Sequence, residues 1–95
     1  MEIKEEDVYK VLQDVIDPEI GISIVDLELV RKVTVSESGV HILMTLTSPM
    51  CPFADIIISD INDGCILAGI GEPEIELTFE PIWEPSKRLK LRLGI

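Results

Sequence analysis

The hydropathy pattern of this chain predicts a small two-layer α+β domain: a three-stranded sheet with room for a fourth strand, two main helices and a short C-terminal helix. Apolar residues recur at helical spacing over residues 5–16 and 52–67, and alternate with polar ones over 40–47 and 74–80. No repeat, low-complexity tract or linker divides the 95 residues, so helices packed on one face of a single sheet is the economical architecture.

In the first segment Val8, Val11, Leu12, Val15 and Ile16 form one stripe, while Glu5, Glu6 and Asp7 occupy a first turn where the helix dipole favours negative charge. The helix is expected to run over 5–16 and to stop there, because Pro18 disfavours helical backbone at Asp17 and has no amide hydrogen to continue the ladder. Residues 29–36 and 40–47 read as a β-hairpin around a three-residue turn, Glu37-Ser38-Gly39. Val40, Ile42, Met44 and Leu46 share one face of the second strand; His41, Leu43, Thr45 and Thr47 share the other. The second helix, 52–67, opens on Pro52, whose missing amide hydrogen suits a first helical position. It turns Phe53, Ile56, Ile57, Ile61, Cys65 and Ala68 inward and leaves Asp55, Ser59, Asp60, Asn62 and Asp63 mostly outside. Gly69 and Gly71 end it, and a third strand over 74–80 points Ile75, Leu77 and Phe79 inward. In the tail, Leu89, Leu91 and Leu93 alternate like a strand, yet Ser86 can cap a helix that Gly94 ends; a short helix is the expectation. Trp83, between Pro81 and Pro85, reads as a packing cover, with an exposed partner-binding anchor as the other reading.

Ninety-five residues support one core but cannot enclose a deep site, so partners or self-association are expected to complete any site. With 46% apolar residues and four aromatics, that core must be built from Ile, Leu and Val. Eighteen acidic against eight basic side chains leave a net charge of −10, which opposes nucleic-acid binding. Half of the basic residues, Lys87, Arg88, Lys90 and Arg92, crowd the C-terminus as a solvated face or a handle for an acidic surface. No apolar run approaches bilayer length, and the acidic start of the chain lacks a signal-peptide core. With only two cysteines, a reducing cytoplasm is the expected location.

The position that carries chemistry is Cys51, in Thr47-Ser48-Pro49-Met50-Cys51-Pro52-Phe53. It follows a strand and precedes a helix start, where unpaired amide hydrogens and the dipole favour a thiolate. An activated thiol is therefore read ahead of a space-filling cysteine. Three carboxylates gather earlier in the chain: Asp17 and Glu19, set on one side of a turn by the restricted backbone before Pro18, and Asp26 among apolar neighbours. Each is a hard oxygen ligand or a loop brace.

Asp17-Pro18-Glu19, Ile24-Val25-Asp26-Leu27 with Leu29-Val30, Met44 through Pro52, Trp83 and the terminal Leu93-Gly94-Ile95 together resemble the metal–sulfur cluster biosynthesis family. That family, formerly a domain of unknown function, includes SufT-like and PaaD-like proteins and the eukaryotic cytosolic iron–sulfur targeting factors. The resemblance runs end to end and implies a single iron–sulfur cluster assembly-type domain over 1–95. It implies functional positions at Asp17, Glu19, Asp26, Thr47, Ser48 and Cys51, with Cys51 the metal ligand. Two departures stand out. Glu28 replaces the family's usual glycine, so if a positive φ is required there the loop beside Asp26 must differ, and the tail after Trp83 is abbreviated.

An iron–sulfur cluster ordinarily takes four protein ligands, and this chain has two cysteines with no Cys-x-x-Cys pair. A cluster here would be transient, shared by Cys51 of two chains in a homodimer or by Cys51 and a thiol of a client or assembly protein. Cys65, on an apolar helix face, reads as core, and His41 as a surface or pairing residue. The first functional expectation is thus a non-enzymatic factor that assembles clusters or transfers them to client apo-proteins. The alternatives are a PaaD-like adaptor without thiol chemistry and, more remotely, a thiol enzyme with Cys51 as nucleophile and His41 as base.

Overall fold

A computed structural model describes residues 3–47 and 53–94. In chain order the elements are α1 (Glu5–Gln13), β1 (Val30–Ser36), β2 (Gly39–Met44), α2 (Ala54–Leu67), β3 (Glu74–Leu77) and α3 (Lys87–Leu93). This is the expected α+β arrangement with a three-stranded sheet and a helical tail. The sheet order is β1-β2-β3: β1 and β2 form an antiparallel hairpin, and β3 returns after α2 to pair parallel to β2. Among the described residues, no helix is long and apolar enough to cross a membrane.

α1 begins at a Lys4 N-cap whose backbone amide donates to the Asp7 carboxylate at 2.9 Å, so an acid of the first turn satisfies an end group as well as the dipole. It ends at Gln13, three residues before the expected stop. The Ile24 amide takes the Val15 carbonyl at 3.0 Å and Ile16 pairs with Ser23 as an isolated bridge, so tertiary bonds draw this stretch out of the helix before Pro18 can act.

The hairpin turn is tighter than expected, because Gly39 is already paired with Ser36 and only Glu37 and Ser38 link the strands. Gly39, at φ 133°, has the backbone freedom such a closure needs. Val40, Ile42, Met44 and Leu46 are buried as the alternation requires. α2 begins at Ala54 with Phe53 as its N-cap; the expected start at Pro52 lies outside the described residues. Ile57, Ile61 and Cys65 are its buried stripe, while Ile56 and Ala68, expected inside, are exposed and Asn62, expected outside, is half-buried. β3 covers only 74–77, and its inward side is weaker than expected: Ile75 is half-buried but Leu77 is exposed. As an edge strand it has a neighbour on one side only, so alternation overstates its burial. α3 forms as read, with Ser86 Oγ accepting from the Leu89 amide at 3.2 Å and Gly94 in the left-handed region at φ 76°.

The core joins Val8 and Leu12 of α1, Ile57, Ile61 and Cys65 of α2, and Val33, Ile42 and Met44 of the sheet. Ile24, Leu27 and Leu29 close it from the connector, residues 14–29 between α1 and β1, and Leu89 of α3 adds the last anchor.

Candidate functional site

Two ladder bonds fix where the chain leaves the sheet. Past the end of β2, the Thr45 amide donates to the Leu29 carbonyl at 2.8 Å, while the Met44 carbonyl accepts from the Thr78 amide at 2.8 Å. Thr45 and Leu46 are buried and Thr47 is half-buried, three residues beyond the described strand. Ser48 and Cys51 lie outside the described residues. What flanks them in the chain is described: Thr47 on one side and, on the other, the Phe53 N-cap of α2, whose first turn carries Asp55 and no side-chain cap.

The carboxylates occupy three different environments. Asp17 is 1% exposed, and its Oδ1 accepts from the Glu19 amide at 2.8 Å, while its own backbone amide donates to the Ile22 carbonyl and its carbonyl accepts from Gly21 at 2.7 Å. Such a side-chain-to-backbone bond two residues on makes Asp17 the organiser of the turn. Its Oδ2 is buried with no hydrogen-bond partner among the described residues. The Glu19 side chain, two residues on, is exposed. Asp26 is half-buried and faces the Arg92 guanidinium at 3.2 Å, an ion pair that its apolar flanks did not announce.

A bracket that the sequence did not disclose surrounds Asp26. The Trp83 indole N–H donates to the Leu27 carbonyl at 2.7 Å, and Arg31 Nη2 donates to the Pro81 carbonyl at 2.9 Å. With the Asp26–Arg92 pair, these bonds fasten the tail onto residues 26–31. Trp83 is accordingly a half-buried packing residue, its polar tip satisfied by the connector. A tryptophan between two prolines is the only trace of this in the sequence; the two arginine contacts span 50 and 66 residues and have no local signature. Glu28, at the centre of the bracket, takes φ 62°, so the loop keeps the positive φ despite having no glycine there.

Cys65 is fully buried as a free thiol, and desolvation pushes its pKa up, which keeps it protonated and inert. His41 pairs with Glu76 at 3.2 Å on the sheet surface, close to the hairpin turn and at the opposite end of β2 from Thr47. Among the described residues, no group of three or more His, Cys, Asp or Glu could hold a metal ion.

Comparison with known proteins adds a family and its relatives. A sequence profile described as "Iron-sulfur cluster assembly protein" matches residues 5–76. A Porphyromonas gingivalis protein named "Fe-S protein maturation auxiliary factor" is 42% identical over 95 residues, covering 95% of this chain and 90% of the relative. The Staphylococcus aureus "Fe-S protein maturation auxiliary factor SufT" is 42% identical over 88 residues, covering 85% and 98%. In structure, a conserved hypothetical protein of Thermotoga maritima superimposes with a TM-score of 0.84 at 38% identity, covering 99% of this chain and 97% of that one.

Proposed function

The chain belongs to the iron–sulfur cluster assembly protein family, and we propose that it is a non-enzymatic auxiliary factor in iron–sulfur protein maturation, with Cys51 as its working thiolate. The observation that carries the reading is the near full-length similarity to two proteins named as such maturation factors. The placement of Cys51 supports its role: it falls between the exit of β2 and the N-terminus of α2, where unpaired amide hydrogens favour a thiolate. Cys65, the other thiol, is buried and protonated.

The cluster is cargo. One accessible thiol per chain supplies one ligand, so the cluster is held transiently by Cys51 of two facing chains, or by Cys51 and a thiol of a client or carrier protein. A site so sparsely ligated hands its cluster on readily. Thr47, Ser48 and Glu19 border it, while Asp17 and Asp26 act from behind, one organising the turn and the other holding the tail. A reducing compartment, the cytoplasm, keeps the thiol available.

Anaerobic reconstitution tests this, with iron and sulfide analysis, visible absorption and light scattering on the wild type and on Cys51→Ala. Expected is a cluster chromophore with a shift toward two chains, both lost in Cys51→Ala. Stoichiometric cluster on a strictly monomeric species, or unchanged loading of Cys51→Ala, contradicts it. The rate of Cys51 alkylation against pH should also report an apparent pKa below that of a free thiol.

A further inference from the structure

Two further surfaces of opposite charge stand out among the described residues. The first is a groove of about 560 Å³ between α1 and α2, with Val11, Val15 and Leu67 as its apolar lining and Asp14, Asp60 and Asp63 as its acids. Lys10 is the one cation on that lining. Both helices bring their C-terminal ends to it: Asp14 is the C-cap of α1, and α2 has no basic residue in its last turn. Asp14 stands where the α1 dipole is already negative, and among the described residues none of these three acids has an ion pair. Leu67 is 88% exposed beside them. A groove so charged and so floored suits a cationic helix with an apolar tip.

The second surface is α3. Leu89, Arg88 and Arg92 line its side toward Asp26, while Leu91, 83% exposed, stands on the solvent side with Lys87 and Lys90 exposed beside it. Among the described residues, none of α3 lines the groove of its own chain. We propose that a second copy of this chain seats its α3 in this groove, reciprocally, so that a two-fold pair closes with Leu91 over the apolar floor and Lys87 and Lys90 against Asp60 and Asp63. Reciprocity doubles a contact that is small on its own and ends assembly at two chains. The pairing needs neither Cys51 nor metal, so it stands or falls independently of the shared-cluster reading.

Charge gives the contact an unusual salt dependence. At about 0.01 M salt the Debye length is roughly 30 Å, and two bodies of net charge −10 repel as wholes. Near 0.1 M it falls to about 10 Å, which screens the far charges and spares the apposed ones; near 1 M, at about 3 Å, the apposed pairs weaken too. Association therefore passes through a maximum at intermediate salt.

Sedimentation of metal-free Cys51→Ala protein from about 0.01 to 1 mM, at those three salt concentrations, is the test. A pair with a dissociation constant on the order of 0.1 mM, tightest near 0.1 M salt, is expected for so small an interface. Lys87→Glu with Lys90→Glu should weaken it about tenfold or more, as should Asp60→Lys with Asp63→Lys, because each brings like charges together. Mixing the two double variants, or placing all four substitutions in one chain, should restore it. All four positions are exposed, and thermal melting verifies that each variant folds. A monomer under every condition, association that ignores both reversals, failure of the mixture to recover, or growth beyond two chains would each overturn the proposal.

Discussion

Glu28 carries the clearest local strain. Its φ of 62° costs a residue with a Cβ about 1–2 kcal/mol, whereas glycine would sit there freely at an entropic cost of roughly 0.5–1 kcal/mol. The first effect is the larger, so Glu28→Gly should raise stability by up to about 1 kcal/mol, read as a higher denaturant midpoint at unchanged slope; a lower midpoint refutes the strain. Cys65 gives a second expectation. Its folded pKa is raised by desolvation above the ordinary 9.0, so below that value the thiol is protonated in both states. Above it the unfolded chain loses the proton first, and the contribution to stability declines as pH rises toward the folded pKa. Wild type should therefore lose stability from about pH 9 upward more steeply than Cys65→Ala, whose constant cavity cost moves the whole curve without adding slope; parallel curves would contradict this. At this scale the sequence was informative where neighbours in the chain decide the outcome, as in Asp17's turn, and silent where they do not. Asp26 flanked by apolar residues looked like an acceptor for backbone amides; its partner Arg92 is sixty-six positions away, and no local pattern encodes it.

Among the elements, α3 depends most on tertiary support. Seven residues are too few to hold a helix in water, and Leu89 is its one buried side chain among those described. The Asp26–Arg92 pair is partly exposed on both sides and contributes at most about 1 kcal/mol. Leu89→Ala should therefore free the tail before the rest: amides of 87–93 should exchange with solvent early and the emission of Trp83 should shift, while those of β1 and β2 stay protected. Asp26→Ala should produce a smaller change in the same direction, and Glu37→Ala, on the hairpin turn, none. Simultaneous exchange of tail and hairpin in Leu89→Ala would show that α3 is part of the main cooperative unit. Legibility follows the same division between local and distant causes. The β2 alternation and the Ser86 and Gly94 caps were readable because one residue's chemistry and a short period determine them. The early end of α1 was not, since the Ile16–Ser23 bridge is made by a segment folding back, and Leu77 looked buried because alternation cannot reveal that β3 lies at an edge.

Over the whole molecule, charge is the feature most out of balance, and its effect on folding has a definite sign. Eighteen acids and eight bases on 95 residues repel one another in the compact state, and the described ion pairs that salt could weaken are two, His41–Glu76 and Asp26–Arg92, both partly exposed. Exposed pairs of this kind contribute about 0–1 kcal/mol each, and the first counts only while His41 is protonated. Screening therefore removes more repulsion than attraction. Raising salt from about 0.01 to 0.2 M shortens the Debye length from roughly 30 Å to below 10 Å, a range comparable with the radius of gyration of 13.3 Å, so repulsion across the body is what disappears. Thermal unfolding at a few micromolar chain, well below the concentration at which copies would pair, should shift upward by several degrees, equivalent to about 1 kcal/mol for a domain of this size. Sodium chloride and potassium chloride should act alike, because screening depends on ionic strength and not on the identity of the ion. A melting temperature that falls over this interval would mean that the two ion pairs outweigh the net charge, and that the acidic surface is locally compensated in a way the described contacts do not reveal.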